Sequence, residues 1–148
     1  MKHFAKYNSG FTLLEILLVV ALFTALAGVS LPVSLAFLQK SSLDVTAQNT
    51  VQTLRRARTL AQSSAHDMSW GVYAEGGQII LFGGDSYATR NTSFDETLPI
   101  PELISVSGQQ ETVFEKFSGK PKNAGTLSFQ ALNDTLPITI GANGLLFY

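Results

Sequence analysis

The stretch GFTLLEILLVVALFTALAGVSLPV, residues 10–33, decides how the chain is read, because one carboxylate, Glu15, sits near the start of a long apolar run. From Ile16 to Leu38, 23 consecutive residues carry no charge, and only Thr24, Gly28, Ser30, Pro32 and Ser34 interrupt their apolar character. As a helix, that run covers roughly 30 Å or slightly more, the hydrocarbon thickness of a bilayer. One membrane crossing is the expectation. A secretory signal peptide instead has an apolar core of about 7 to 15 residues, then a small-residue cleavage site and a polar mature start. Here the run is longer, and SLDVTAQNTVQTLRRARTLAQSSA, residues 42–65, continues in helical register. Lys2 and Lys6 precede the run and Lys40 stands alone beyond it, which favours the amino end in the cytoplasm.

Working outward, Leu43, Ala47, Val51, Leu54, Ala57 or Arg58, and Ala61 recur at spacings of three and four, the pattern of one apolar stripe on a helix. No glycine or proline lies between Val33 and His66. The two segments therefore predict one helix of about 50 residues, roughly 75 to 80 Å long. Beyond Ser64 the pattern changes. MSWGVYA and QIILFG, joined through Glu75, Gly76 and Gly77, predict a hairpin. ETVFEKFSG, with Val113, Glu115 and Phe117 alternating with Phe114 and Lys116, predicts another strand. TLSFQAL, LPITI and LLFY, punctuated by Asn133-Asp134, Gly141 and Asn143-Gly144, predict a closing antiparallel meander. Residues 84–110 contain Pro99 and Pro101 and have weak periodicity; they are expected to be a long surface connection with one short strand at Leu103 to Val106. The stripe is the expected cover for one face of a twisted antiparallel sheet, with the proximal half of the helix projecting beyond the domain. The fold class is α+β.

Composition narrows the chemistry. The 148 residues include no cysteine, so no disulfide, thiolate nucleophile or cysteine metal cage is available. Residues 39–66 carry a net charge of +3, and residues 67–148 a net charge of −5, so the distal half repels nucleic acid.

Glu15 admits two accounts. Thr12 to Glu15, TLLE, has capping-box spacing: the threonine oxygen accepts from the Glu15 amide and the carboxylate returns to the Thr12 N–H. A negative charge in the first turn also suits the helix dipole. The other account starts from cost, because an acidic group within a membrane helix seeks a partner. If the chain is cut between Gly10 and Phe11, a neighbour shifted along the axis places its terminal ammonium beside this carboxylate, setting register as well as adding energy. Pro32 likewise admits two accounts. It cannot donate to the Gly28 carbonyl, and its ring clashes with a regular helix, which gives either a fixed kink or a place to bend or melt during assembly.

SGFTLLEILLVVALFTALAG resembles the class III signal of type IV pilins and of the related pseudopilins of type II secretion. The resemblance implies a leader at residues 1–10, cleavage by a prepilin peptidase between Gly10 and Phe11, and N-methylation of Phe11. It places the family's acidic residue, linked with processing or subunit registration, at Glu15, and its frequent helix-breaking proline at Pro32. The remainder resembles the family's lollipop plan, and LRRARTLAQSSAHDMSWGVYA with GTLSFQALNDTLPITIGANGLLFY resembles the GspH/FimT-type pilin domain of minor subunits. The organisation so implied is leader 1–10, membrane and filament-core helix 11–38, amphipathic helix 39–66 and sheet domain 67–148. The implied partners are the prepilin peptidase/methyltransferase, other pilin or pseudopilin subunits, the inner-membrane assembly platform, and membrane lipid before assembly. The implied location is a single pass in the inner membrane, then a cell-surface or periplasmic filament.

Other candidate sites are weaker. His66 follows Ser63 and Ser64, but adjacency alone does not arrange nucleophile, base and oxyanion site, and a helix-end or exposed polar role is expected. Asp85, Asp95 and Glu96 resemble an oxygen-ligand set without an EF-hand frame, and a solvated acidic loop is expected. Arg55, Arg56 and Arg58 suit phosphate, a neighbour's acidic surface or solvent; DNA-uptake relatives use basic residues near the carboxyl end, where TIGANGLLFY has none. Phe114, Phe117, Phe129 and Phe147 lack the interleaved basic strip of a base-stacking platform and are expected in core or interface. The sequence thus points to a structural subunit with no catalytic residues, metal or cofactor. The competing class is an unprocessed single-pass protein whose external sheet binds a ligand.

Overall fold

A computed structural model describes residues 10–132 and 134–148, the side chains of residues 28–36 excepted. Its long helix α1 spans Leu13–Gln62, 50 residues, matching the single helix of about 50 residues expected from the apolar run and the stripe that follows it. By its contacts the chain divides into two compact units, Met1–Phe37 and Leu38–Tyr148.

In the first unit every described side chain from Phe11 to Ala27 is exposed, including Leu14, Leu18, Leu22 and Phe23. No polar face relieves this surface. Thr24 returns its hydroxyl to the Val20 and Ala21 carbonyls at 3.0 and 2.9 Å, satisfying itself within the helix. The bend expected at Gly28 and Pro32 lies outside the described residues.

Among the described residues the second unit holds the distal part of α1 and eight strands: β1 Trp70–Glu75, β2 Gln78–Gly83, β3 Asn91–Pro99, β4 Ser105–Gly108, β5 Glu111–Phe114, β6 Gly125–Ala131, β7 Asp134–Ile140 and β8 Leu146–Phe147. They form not one sheet but two, each four-stranded, in the orders β3-β2-β1-β5 and β4-β6-β7-β8, with every pairing antiparallel. Leu43, Ala47, Val51, Leu54, Ala57 and Ala61 are all buried, and they share one core with Val72, Leu81 and Phe114 of the first sheet and Phe129 and Ile138 of the second. The small alanines bring α1 close to the sheets. Thr46, Thr50 and Thr53 are also buried, each returning its hydroxyl to the carbonyl four residues earlier at 2.8 Å, so none is left unpaired.

The β1–β2 hairpin closes through Gly76 and Gly77, both at positive φ (63° and 79°), between the paired residues Glu75 and Gln78. A two-residue loop with both φ values positive matches the right-handed twist of the strands, and glycine adopts it without a steric penalty. The meander of β6, β7 and β8 also follows the sequence expectation.

Two further expectations are corrected. Residues 84–110 hold more than the one short strand expected at Leu103 to Val106, which β4 overlaps: β3 occupies nine of them and pairs with β2 across a register shift between Leu81 and Gly83. Its prolines fall where they cost no ladder bond, Pro99 ending an edge strand and Pro101 lying beyond it. The strand expected through Phe117 instead stops at Phe114, and Phe117 sits in a turn at φ 66°. There its N–H donates at 3.0 Å to the Ala61 carbonyl, which also accepts from the Ser64 N–H at 3.0 Å, tying the turn to the end of α1.

Candidate functional site

The candidate processing and assembly residues lie at the start of α1. Gly10 and Phe11 precede the helix and are exposed, Phe11 by 80%. Thr12 is the residue before the first helical position. Its Oγ1 accepts from the Glu15 N–H at 3.2 Å, and its carbonyl accepts from the Glu15 and Ile16 N–H groups at 3.1 and 3.2 Å. Among the described contacts the reverse bond, from the Thr12 N–H to the Glu15 carboxylate, is not made. The carboxylate is exposed at the foot of an apolar helix, with the first-turn dipole as its only favourable partner among the described groups.

A helix apolar on all sides is stable only where something other than water covers it, whether hydrocarbon or the faces of other helices. Among the described residues no helix is long and apolar enough to cross a membrane, and residues 28–36 of the expected 16–38 span lie outside those described.

The other candidates separate rather than converge. Asp85, Asp95 and Glu96 each take a different cation: Lys122 at 3.0 Å, Arg90 at 2.8 Å and Arg56 at 2.6 Å. The expected solvated acidic loop is therefore a set of three ion pairs, two of them on β3. Among the described residues no cluster of His, Asp or Glu is placed to hold a metal. Hydrogen bonds to Asp85 from Lys122 and from the Ser69 hydroxyl, with the lysine's charge, hold that carboxyl below its ordinary value.

His66 sits in a short 3-10 turn, Ala65–Asp67, just past α1 and is exposed. Its ring lies 4.4 Å from that of Phe94, while Ser63 Oγ donates to the Leu60 carbonyl, so these residues do not form a nucleophile and base pair. The three arginines divide. Arg56 grips Glu96 with two bonds of 2.6 Å, and Arg58 donates to the Gly144 and Asn143 carbonyls at 2.9 and 3.3 Å; Arg55 is exposed and makes no ion pair among the described residues. Two of the three thus hold α1 to the rest of the unit. Phe114 and Phe129 are fully buried, whereas Phe117 and Phe147 are exposed.

An aromatic stack on the outer face of the first sheet was not foreseen. Tyr73 and Tyr87 stack at 3.9 Å, the Arg90 guanidinium lies 3.7 Å from the centre of the Tyr87 ring, and Phe82 meets Tyr87 edge-on. Together with Ile80 and Val113 this makes a second, small core beneath the segment between β2 and β3. Consecutive apolar residues in IILF, facing both ways along β2, were the available signal.

Among known proteins, a family model described as the prokaryotic N-terminal methylation motif matches residues 5–31. No curated protein and no solved structure matches the chain. The match spans Gly10, Phe11 and Glu15 and the fully exposed part of α1, and it carries a signal typical of type IV pilin and pseudopilin precursors. Such a motif implies a peptidase/methyltransferase that acts on a membrane-associated precursor.

Proposed function

We propose that the chain is a structural subunit of a type IV pilus or a type II secretion pseudopilus. The observation that carries this reading is the coincidence, in residues 5–31, of the methylation motif with a helix start whose apolar side chains are exposed on every side. The precursor is held by one crossing of the inner membrane, which the uncharged run from Ile16 to Leu38 supports. Prepilin peptidase cuts between Gly10 and Phe11 and the new terminus is methylated on Phe11. Lipid is then exchanged for neighbouring helices on the assembly platform. Glu15 pairs with the terminal amine of an adjacent subunit and sets the axial register. Gly28 and Pro32 provide the place where the helix bends or melts as it leaves lipid.

The α+β second unit, with its helix stripe and antiparallel sheets, supports the lollipop plan, and its helix-to-hairpin entry and late glycine turn support a GspH/FimT-like minor subunit. The subunit supplies packing and register, while peptidase and motor activities come from its partners. Substituting Gly10 by a bulky residue tests the processing step: the precursor should accumulate in the membrane without the drop in mass that removal of residues 1–10 produces. A full mass decrease in that variant would contradict it.

A further inference from the structure

Where α1 enters the second unit, three charged side chains surround one recess without pairing. Lys40 and Asp44 come from α1 and Asp134 from the first position of β7; with Leu43, Thr135 and Leu136 they line a cavity of about 150 Å³. All three charged residues are exposed, and none is in an ion pair among the described residues. Lys40 stands four residues before Asp44, the less favourable order for an ion pair along a helix. Elsewhere in the unit Asp67, Asp85, Asp95 and Glu96 each lie against a cation. The recess thus offers one positive and two negative groups next to the buried Leu43 and the half-buried Leu136.

Its place along the chain says what fills it. The uncharged run ends at Leu38, whose side chain is exposed. At about 1.5 Å per residue, Lys40 stands about 3 Å and Asp44 about 9 Å beyond that point along the helix. Headgroups occupy about 5 to 7 Å on each side of the hydrocarbon, so a chain that crosses a bilayer with this run opens the recess onto the headgroup layer. The hairpin of β6 and β7 comes to the same place. Ala131 pairs with Asp134 at its tip, and Leu132 there is 66% exposed at φ 53°. A hairpin tip in water favours glycine or asparagine at positive φ, whereas an apolar side chain suits the boundary between headgroups and acyl chains.

A headgroup with a phosphate and a primary ammonium matches these groups in charge and in hydrogen bonding. Lys40 meets the phosphate, and the Asp44 and Asp134 carboxylates accept from the ammonium N–H groups. A quaternary ammonium has the charge but no N–H to donate, and a glycerol headgroup has no positive charge. We propose that the recess binds the headgroup of a phosphatidylethanolamine-type lipid in the outer leaflet while the chain is held in the membrane. This rests on the single-crossing reading above, and it adds a lipid preference carried by the second unit.

The test uses the full-length chain in nanodiscs of equal parts phosphatidylethanolamine, phosphatidylcholine and phosphatidylglycerol, released into a mass spectrometer under non-denaturing conditions. The native chain should retain phosphatidylethanolamine about threefold or more above either other lipid. Asp44→Asn together with Asp134→Asn should erase its preference over phosphatidylcholine, and Lys40→Gln should lower retention of all three lipids. Glu102→Gln alters an exposed carboxylate outside the recess and should leave the preference unchanged. Equal retention of the three lipids, or a preference for phosphatidylglycerol, by native chain held in the disc overturns the headgroup site and leaves the crossing standing. Chain that does not enter discs and is released from membranes by alkaline carbonate overturns both. Survival of the preference in the double aspartate variant, full retention in Lys40→Gln, or loss of the preference in Glu102→Gln overturns the assignment to these residues. Retention of added soluble phosphoethanolamine in place of lipid would put the ligand in solution and overturn the proposal.

Discussion

Replacing Glu15 by Gln separates the two roles open to that residue, because the capping bond at the start of α1 is made by its backbone. The Thr12 hydroxyl accepts from the Glu15 N–H at 3.2 Å, and glutamine retains that donor. What is lost is the negative charge. Within an isolated helix its interaction with the amino-terminal dipole contributes about 0.3 to 1 kcal/mol, so the precursor should accumulate almost normally. In a filament a carboxylate 4 Å from a neighbour's ammonium has a raw attraction of about 4 kcal/mol at an effective dielectric of 20, much of it offset by desolvation. A remainder of one or two kcal/mol per contact corresponds to roughly a 5- to 30-fold change in the equilibrium. Thr12→Ala makes the opposite change, removing the cap, worth about 0.5 to 2 kcal/mol, and leaving the charge. The assay is the ratio of chain in sheared fibres to chain in the membrane, by quantitative immunoblot at matched expression. Glu15→Gln should lower that ratio at least fivefold and Thr12→Ala should change it much less. Equal incorporation of Glu15→Gln and the native chain would refute the inter-subunit pair and leave Glu15 as a helix-start residue only.

Three further outcomes follow from the second unit. Gly71→Ala places a methyl group 2.5 Å from Phe82 Cζ and 2.9 Å from the Thr112 carbonyl oxygen, between two paired strands that cannot both move. It should cost about 1 to 3 kcal/mol in urea denaturation of the detergent-solubilised chain. Arg58→Met removes the donors to the Gly144 and Asn143 carbonyls, and hydrogen exchange should quicken at the Gly141 and Leu145 amides while the β1–β2 hairpin is unchanged. Asp85 is held below its ordinary value of 3.8 by Lys122 and Ser69. Its contribution to stability is complete above that value and is lost as pH falls through the lowered one. Lys122→Met should therefore flatten the acid limb of the pH–stability curve, by an amount kept small by the exposure of Asp85 and reduced further by added salt.

The parts of this fold legible in the sequence are those built on local periodicity. The stripe from Leu43 to Ala61 repeats at helical spacing, and all six residues are buried. The β1–β2 hairpin announces itself through Gly76 and Gly77, and the β6–β8 meander through its turns. The strand β3 was hidden because it lies at an edge. Its NTSFDETLP segment faces solvent for much of its length, and Asp95 and Glu96 are stabilised by Arg90 and Arg56, the latter 40 residues away in sequence. No local pattern reports such pairs. The division into two sheets was equally hidden, since β5 joins β1 rather than its sequence neighbours β4 and β6. Phe117 reads as part of an alternating strand, yet it sits in a turn at positive φ with its N–H on the Ala61 carbonyl, a partner distant in sequence. At the amino terminus the position is reversed: Gly10, Phe11 and Glu15 stand out in sequence because their meaning is chemical and local, and the exposed apolar helix adds the physical reason a covering partner is needed.

The most direct measurement is the intact mass and terminal sequence of the native chain recovered from sheared extracellular fibres. The account predicts a chain beginning at Phe11, ten residues shorter than the translated product and carrying one methyl group on its terminal nitrogen. Full-length chain beginning at Met1, found only in the membrane and in no fibre, would contradict it.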